Sequence, residues 1–392
     1  MTNKKTLQFI LAHQNDDVNK LVLKKRTDIE IDYDFAFKQI AGRQRVKHKL
    51  PTFYSNKELI YPPQLNIEQC SSESTALYKK SLCEGILMAD LTGGFGIDFY
   101  YLSNNYREAF YIEQNTELCE IVNHNFKILG SRNHKIINIK AEDAIDDLPE
   151  LDLVYIDPAR RNKTGSKIVF ISDCEPDISI LREAILQKSR MLMVKLSPML
   201  DISSAIKILK NVHEVHIISV ANECKEILLI LKKEKVDRIK FKAVNIVNNS
   251  KTDVFEFFKE DESACIISNS QEIQHFLYEP NSSILKSGAF KSICLQFNIL
   301  KLHNNTHLYT SNNLVSDFQG RIFEVVDLVG NSKKDMIEIK IKYPKANIST
   351  RNYPLKPEEL KKRLGIDDGG DIFIFACTIE KELKVLIICR KA

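Results

Sequence analysis

The stretch Leu87-Met-Ala-Asp-Leu-Thr-Gly-Gly-Phe-Gly-Ile-Asp98 decides how the rest of the chain is read. An apolar run ends on Asp90, Gly93, Gly94 and Gly96 follow at once, and a helical pattern begins behind them. Three later segments repeat the theme: Tyr111-Ile-Glu113, Ala141-Glu-Asp143 and Tyr155-Ile-Asp-Pro158. Each ends or follows an apolar run, so each sets a glycine turn or a carboxylate where a buried strand leaves a sheet. In open α/β sheets that edge is where ligands bind.

Working outward, short apolar runs at 86–91, 109–112, 136–139, 153–156 and 191–194 are flanked by turn residues or charges. Helical stretches at 118–129 and 178–187 separate several of them, which predicts a parallel sheet with crossover helices. Runs at 216–220 and 227–231 lie close enough to close that sheet as an antiparallel edge pair. Toward the N-terminus, apolar residues recur at helical spacing through residue 50, and Pro51 marks a stop. Residues 51–70, with Pro51, Pro62 and Pro63, read as an extended connector, and a serine-capped helix runs from 71 to 82. Beyond the sheet, the polar 245–250 segment reads as a boundary. Residues 306–330 and 336–343 alternate like strands, 357–364 is helical, Gly369-Gly370 is a turn, and 372–376 with 385–389 form a hairpin. The expected division is a helical lobe over 1–70, an α/β domain over 71–240, and α+β regions over 241–325 and 326–392.

Composition agrees with an ordinary soluble protein. A chain of 392 residues with 44% hydrophobic content can bury a core in each of two or three domains. No apolar stretch approaches the ~18 residues of a membrane span, and no signal-like block follows the N-terminus, so a cytoplasmic location without membrane contact is expected. Nine cysteines are scattered singly without a C-x-x-C pair, which favours free thiols. His213 with His216, and His303 with His307, lack completing ligands, so no metal is expected. Residues 1–50 hold eleven Lys/Arg against six Asp/Glu, while the whole chain carries +4. Arg43, Arg45, Lys47 and Lys49 therefore form a candidate basic face for phosphates; the plainer reading is a solvated helix face.

The glycines after the first strand let backbone approach a ligand and leave amides pointing at it. Glu113 ends the second strand 17 residues after Gly96, close to the ~20 expected of an acid that binds a ribose diol. A nicotinamide enzyme would share both features. Asp143 after the third strand and Asp157-Pro158 after the fourth decide against it.

The whole resembles the class I S-adenosylmethionine-dependent methyltransferases over residues 70–231, with a Rossmann-like sheet. That resemblance implies S-adenosyl-L-methionine as cofactor, with Asp90 near its methionine amino group, Gly93, Gly94 and Gly96 cradling it, Glu113 on the ribose and Asp143 at the adenine. Asp157-Pro-Ala-Arg160 is similar to the D/N-P-P-x motif of enzymes that methylate nucleobases, which makes Asp157 and Pro158 the catalytic candidates. Ala159 stands where that motif has its second proline and Arg160 where it has an aromatic, so the target base stays open. Arg160 and Arg161 then stack or contact phosphate, or are salt-bridged loop residues. Residues 68–76, the 90–98 turn, the 278–311 segment and Gly369-Gly-Asp371 look like a bacterial methyltransferase family in which a ferredoxin-like region and a THUMP-like domain follow the catalytic one. THUMP domains bind RNA in tRNA-modifying enzymes, so the implied partner is RNA and the implied reaction nucleobase methylation. The alternatives are an RNA-binding adaptor that keeps the fold without catalysis and a small-molecule methyltransferase.

Overall fold

The computed structural model describes residues 3–23, 28–160, 171–248 and 250–392. They fall into two compact units, Met1–His213 with Glu226–Val236, and Glu214–Lys225 with Asp237–Ala392. The strands that concern the site and its surroundings are β1 (Gly85–Asp90), β2 (Tyr106–Ile112), β3 (His134–Ile137), β4 (Leu151–Ile156), β5 (Ser189–Leu196), β6 (Val212–Val220), β7 (Glu223–Leu231), β8 (Lys240–Asn248) and β9 (Lys251–Phe258).

In the first unit the strands run β7-β5-β4-β1-β2-β3. Pairing is parallel throughout except for β7, which is antiparallel to β5. The runs are apolar on both faces because helices cover both faces, as a parallel sheet requires. Strand order reverses on either side of β1, and the crevice at such a switch point is the expected ligand site. Register brings the strand ends level: Asp90 lies opposite both Tyr111 and Tyr155, and Ile156 lies opposite Val194.

The N-terminal lobe is helical as expected, with Lys4–Ala12, Val18–Val22 and Tyr33–Lys49 packed around Ile10, Leu21, Ala36, Phe37 and Ile40. The connector is not extended. Pro51 opens the helix Pro51–Ser55, where its missing N–H is no loss, and Gln64–Gln69 forms another. Phe53, Tyr61 and Ile67 from this segment bury against Phe95 and Ile97 of the glycine turn. The next helix, Glu73–Lys80, is capped by Ser72, whose hydroxyl accepts from the Thr75 amide.

In the second unit β6 pairs in parallel with β8, and β8 is antiparallel to β9. The two runs expected to pair are adjacent in the strand order, with β5 on the far side of β7 and β8 on the far side of β6. The polar run from Asn245 is no boundary. Asn245 sits within β8 and accepts from the Asn222 amide, and Asn248 caps the turn into β9 through the Ser250 and Lys251 amides.

A second sheet in this unit contains Phe276–Pro280, Tyr309–Ser311, Gly320–Val329, Asn347–Arg351 and the predicted hairpin, Ile372–Ile379 with Leu383–Lys391. Gly369 and Gly370 both have positive φ, as a turn at that point needs. Residues 336–343 depart from the strand reading, since Lys333–Lys342 is a helix. Its isoleucines alternate, but a capping box decides: Ser332 accepts from the Asp335 amide while the Asp335 carboxylate accepts from the Ser332 amide. Met336 and Ile339 then face the core at helical spacing and leave Ile337 and Ile341 exposed.

Candidate functional site

Three glycines make the turn after β1, each for a different reason. A Cβ on Gly93 would fall 2.1 Å from the Tyr111 ring. Gly96 has φ of +77° and faces Phe126 and Val122 of the helix Thr116–Ile128. Gly94 has φ of +56°, yet a Cβ there would meet only the Thr92 carbonyl at 3.7 Å. Gly94 thus fronts open space, while its neighbours are fixed by packing.

Glu113 holds the turn from β2. Its carboxylate accepts from the Gly94 amide at 2.9 Å and from the Asn115 amide at 2.8 Å, and the Tyr111 hydroxyl donates to the Gly94 carbonyl at 2.6 Å. Asp90 is buried and accepts from the Thr92 amide. Burial holds its carboxyl well above the ordinary carboxylate range. The Thr92 hydroxyl reaches the other way and accepts from the Asp157 amide at 2.7 Å, tying the ends of β1 and β4 together.

Asp157 stands beside Lys195 because Ile156 and Val194 are in register. The lysine Nζ lies 2.5 Å from Asp157 Oδ2, and the two side chains are 10% and 34% exposed. Burial raises the Asp157 carboxyl against the pull of Lys195. Burial alone would lower the Lys195 ammonium, but Asp157, Asp98 and Glu226 hold it above the usual lysine value.

Behind this pair lies a closed cluster. Lys79, fully buried, donates to Ser71 at 2.8 Å and Glu226 at 2.7 Å, and its ammonium is 2.9 Å from Asp98. Asp98 also accepts from the Ser71 and Tyr155 hydroxyls, both at 2.7 Å. Burial would raise Asp98, but Lys79 and Lys195 outweigh it and bring the carboxyl down to about 2.

Lys79, Asp98, Glu226, Ser71 and Tyr155 were not singled out by motif. A signal existed, because Glu226 abuts the apolar run of β7 and Lys195 interrupts the end of β5, and a charge inside such a run must find a partner.

The structure separates the remaining candidates. Pro158 is buried and Asp143 is exposed on the short helix Ala141–Ala144. Arg160 contributes backbone to a two-stranded ladder with Cys174–Glu175; its side chain, and all of Arg161, lie outside the described residues. The basic face is not one surface. Arg43 is buried and donates to the carbonyls of Tyr54 and Asn56, so it caps the lobe and does not meet phosphates. Lys49 donates to the Ile67 and Glu68 carbonyls and Arg45 to Gln64, which leaves Arg45 and Lys47 as the exposed members. No helix among the described residues is long and apolar enough to cross a membrane.

The strand order, the antiparallel β7 and the acidic edge around a glycine turn define a class I methyltransferase fold. A crystal structure described as a "putative methyltransferase" from Porphyromonas gingivalis W83 is similar to this chain at 30% identity and a TM-score of 0.90, covering 100% of this chain and 99% of that one. The chain belongs to the family of that protein. Residues 276–318 match a family model described as a ferredoxin-like domain, and residues 320–391 match one described as THUMP domain-like. No curated protein matches. An rRNA methylase from Streptococcus thermophilus is 13% identical with a TM-score of 0.32, covering 42% of this chain and 95% of that one. SMU.1697c of Streptococcus mutans, solved in complex with SAH, is 13% identical with a TM-score of 0.31, covering 41% and 97%.

Proposed function

We propose that the chain is an S-adenosylmethionine-dependent methyltransferase that modifies a nucleobase in RNA. The observation that carries the cofactor is the edge itself: Asp90 ends β1, and Glu113 and Asp157 follow two residues beyond its partners on β2 and β4, around a turn whose Gly94 opens onto free space that a Cβ would begin to fill. S-adenosylmethionine would supply a methyl already made electrophilic by its sulfonium. Glu113 would hold the ribose hydroxyls, and the exposed Asp143 would face the adenine. Asp90 fits the methionine amino group on physical grounds, because burial disfavours its charged form and a cation brought against it favours that form.

Asp157 would then accept a hydrogen bond from the methyl acceptor, with Pro158 fixing the backbone beneath it, and the protein's work is alignment and exclusion of water. The THUMP-like match over 320–391 supports RNA as the partner. Incubation with radiolabelled S-adenosylmethionine and undermethylated total RNA from the source organism lacking this gene, followed by nucleoside analysis, tests the reading. A single labelled nucleoside is the expected result; cofactor binding with no label in any RNA sinks the RNA assignment.

A further inference from the structure

The two buried lysines of the first unit differ in what they leave unspent. Lys79 donates to Ser71 and Glu226 and lies 2.9 Å from Asp98 Oδ1, so oxygens surround its ammonium. Among the described residues Lys195 meets one partner, Oδ2 of Asp157, so two of its N–H groups and the second Asp157 oxygen remain for something else. The pair is also the more open of the two, with Asp157 34% exposed in front of a lysine that is 10% exposed. Desolvating an ammonium so far without saturating it costs stability, and such a cost is usually tied to a ligand.

We propose that Lys195 is a positioning residue: it keeps Asp157 a carboxylate aimed out of the strand edge, and its remaining N–H groups take an acceptor atom of the group to be methylated. The proposal rests on the methyltransferase reading above. A carboxylate beside an ammonium is complementary to an N–H donor next to a carbonyl or ring-nitrogen acceptor, which is what a nucleobase edge presents and a simple alcohol or thiol does not. The titratable groups that face Asp157 are Lys195 on β5, Asp90 on β1, Tyr155 on β4, Asp98 on the helix Ile97–Ser103 and Lys79 on Glu73–Lys80, while Glu226 on β7 acts on Lys195. Lys195 is the cation bonded directly to it.

The test compares the full chain with Lys195→Met, Lys195→Arg and Lys195→Gln, each loaded with S-adenosylhomocysteine whose affinity also reports folding. Carbon-detected titration of labelled aspartate carboxyls, with Asp157 identified by its loss in Asp157→Asn, reads the pair without any turnover. Lys195→Met is expected to move the Asp157 titration to higher pH, and Lys195→Arg to keep it near the original value. In transfer to undermethylated RNA, Lys195→Met is expected to lower kcat about 100-fold, the scale of a misplaced reacting group, to raise KM, and to shift the acid limb of the profile upward. Lys195→Gln, which keeps N–H donors without the charge, should recover KM more than the acid limb. An Asp157 titration identical in wild type and Lys195→Met, or unchanged kcat, KM and acid limb, overturns the proposal. If the wild type labels no RNA while the titration moves as expected, the RNA reading fails and the positioning of Asp157 by Lys195 stands.

Discussion

Lys79 and Lys195 lie beneath the same sheet edge, and one is finished where the other is not. Lys79 is enclosed by Ser71, Glu226 and Asp98, and the cluster joins the helix Glu73–Lys80, the helix after the glycine turn and β7. Lys195 has Asp157 before it and an open side. Saturated charges join elements of a fold, whereas an unsaturated pair at a strand end has capacity left for chemistry. The same contrast divides the glycines, since Gly93 and Gly96 serve packing and Gly94 faces space.

The contrast is broken most directly at the open site. Asp157→Ala should reduce transfer to background while S-adenosylhomocysteine affinity, measured calorimetrically, stays within about twofold, since its contacts are to the acceptor and matter as the methyl moves. Normal turnover by this variant would make Asp157 a strand-ending turn residue.

At the closed site the expected loss is stability. Lys79→Met leaves Asp98 and Glu226 buried without their cation and should cost about 3–5 kcal/mol in denaturant unfolding. A loss below about 1 kcal/mol would mean the cluster is weakly coupled. Acid sharpens the same point. The folded Asp98 carboxyl lies at about 2, below its ordinary value of 3.8. Its stabilising contribution is therefore complete above about pH 4 and fades as pH falls through that interval toward 2. The acid unfolding midpoint should move upward in Lys79→Met.

The turn gives a smaller effect. Glu113→Ala removes the carboxylate from the Gly94 amide and from the proposed ribose interaction, and should weaken cofactor binding by at least ~1.5 kcal/mol. Unchanged affinity in both Glu113→Ala and Gly94→Val would remove the basis for the cofactor assignment.

The smallest effect is expected in the N-terminal lobe, where one helix carries both kinds of cation. Neutralising the exposed Arg45 and Lys47 should flatten the salt dependence of RNA binding by a slope of ~0.7 for each phosphate no longer neutralised. Arg43→Ala should instead lower the melting temperature, because Arg43 holds the Tyr54 and Asn56 carbonyls. Identical salt slopes for wild type and the Arg45/Lys47 variant would make this a solvated face.

The edge was legible in sequence because glycines and acids there interrupt apolar runs: Asp90, Glu113 and Asp157 each sit where a run stops. The closed cluster was legible only at Glu226, whose charge against an apolar run calls for a partner; Ser71, Lys79 and Asp98 are ordinary polar residues until folding brings them to it. Pattern misled where it competed with capping. The alternation Ile337, Ile339, Ile341 suggests a strand, but the Ser332–Asp335 box starts a helix. Pro51 does stop the Tyr33–Lys49 helix, but it also opens the next one, so the connector is helical where extended chain was expected. Arg43 and Lys47 show that charge density along a helix does not say which cations point outward.

The Lys79 cluster also sets an order of assembly. Lys79 and Glu226 are 147 residues apart in the chain, and Ser71 and Glu226 are 155 apart. A nascent chain that has only reached β5 holds Lys79 and Asp98 without their second carboxylate, and β7 must arrive to supply it. Pairings of such long sequence separation form late and slow folding. A chain ending before Glu226 would therefore carry the complete glycine turn and all three edge acids while its central cluster stayed one carboxylate short, held as an unfinished intermediate until synthesis passes β7.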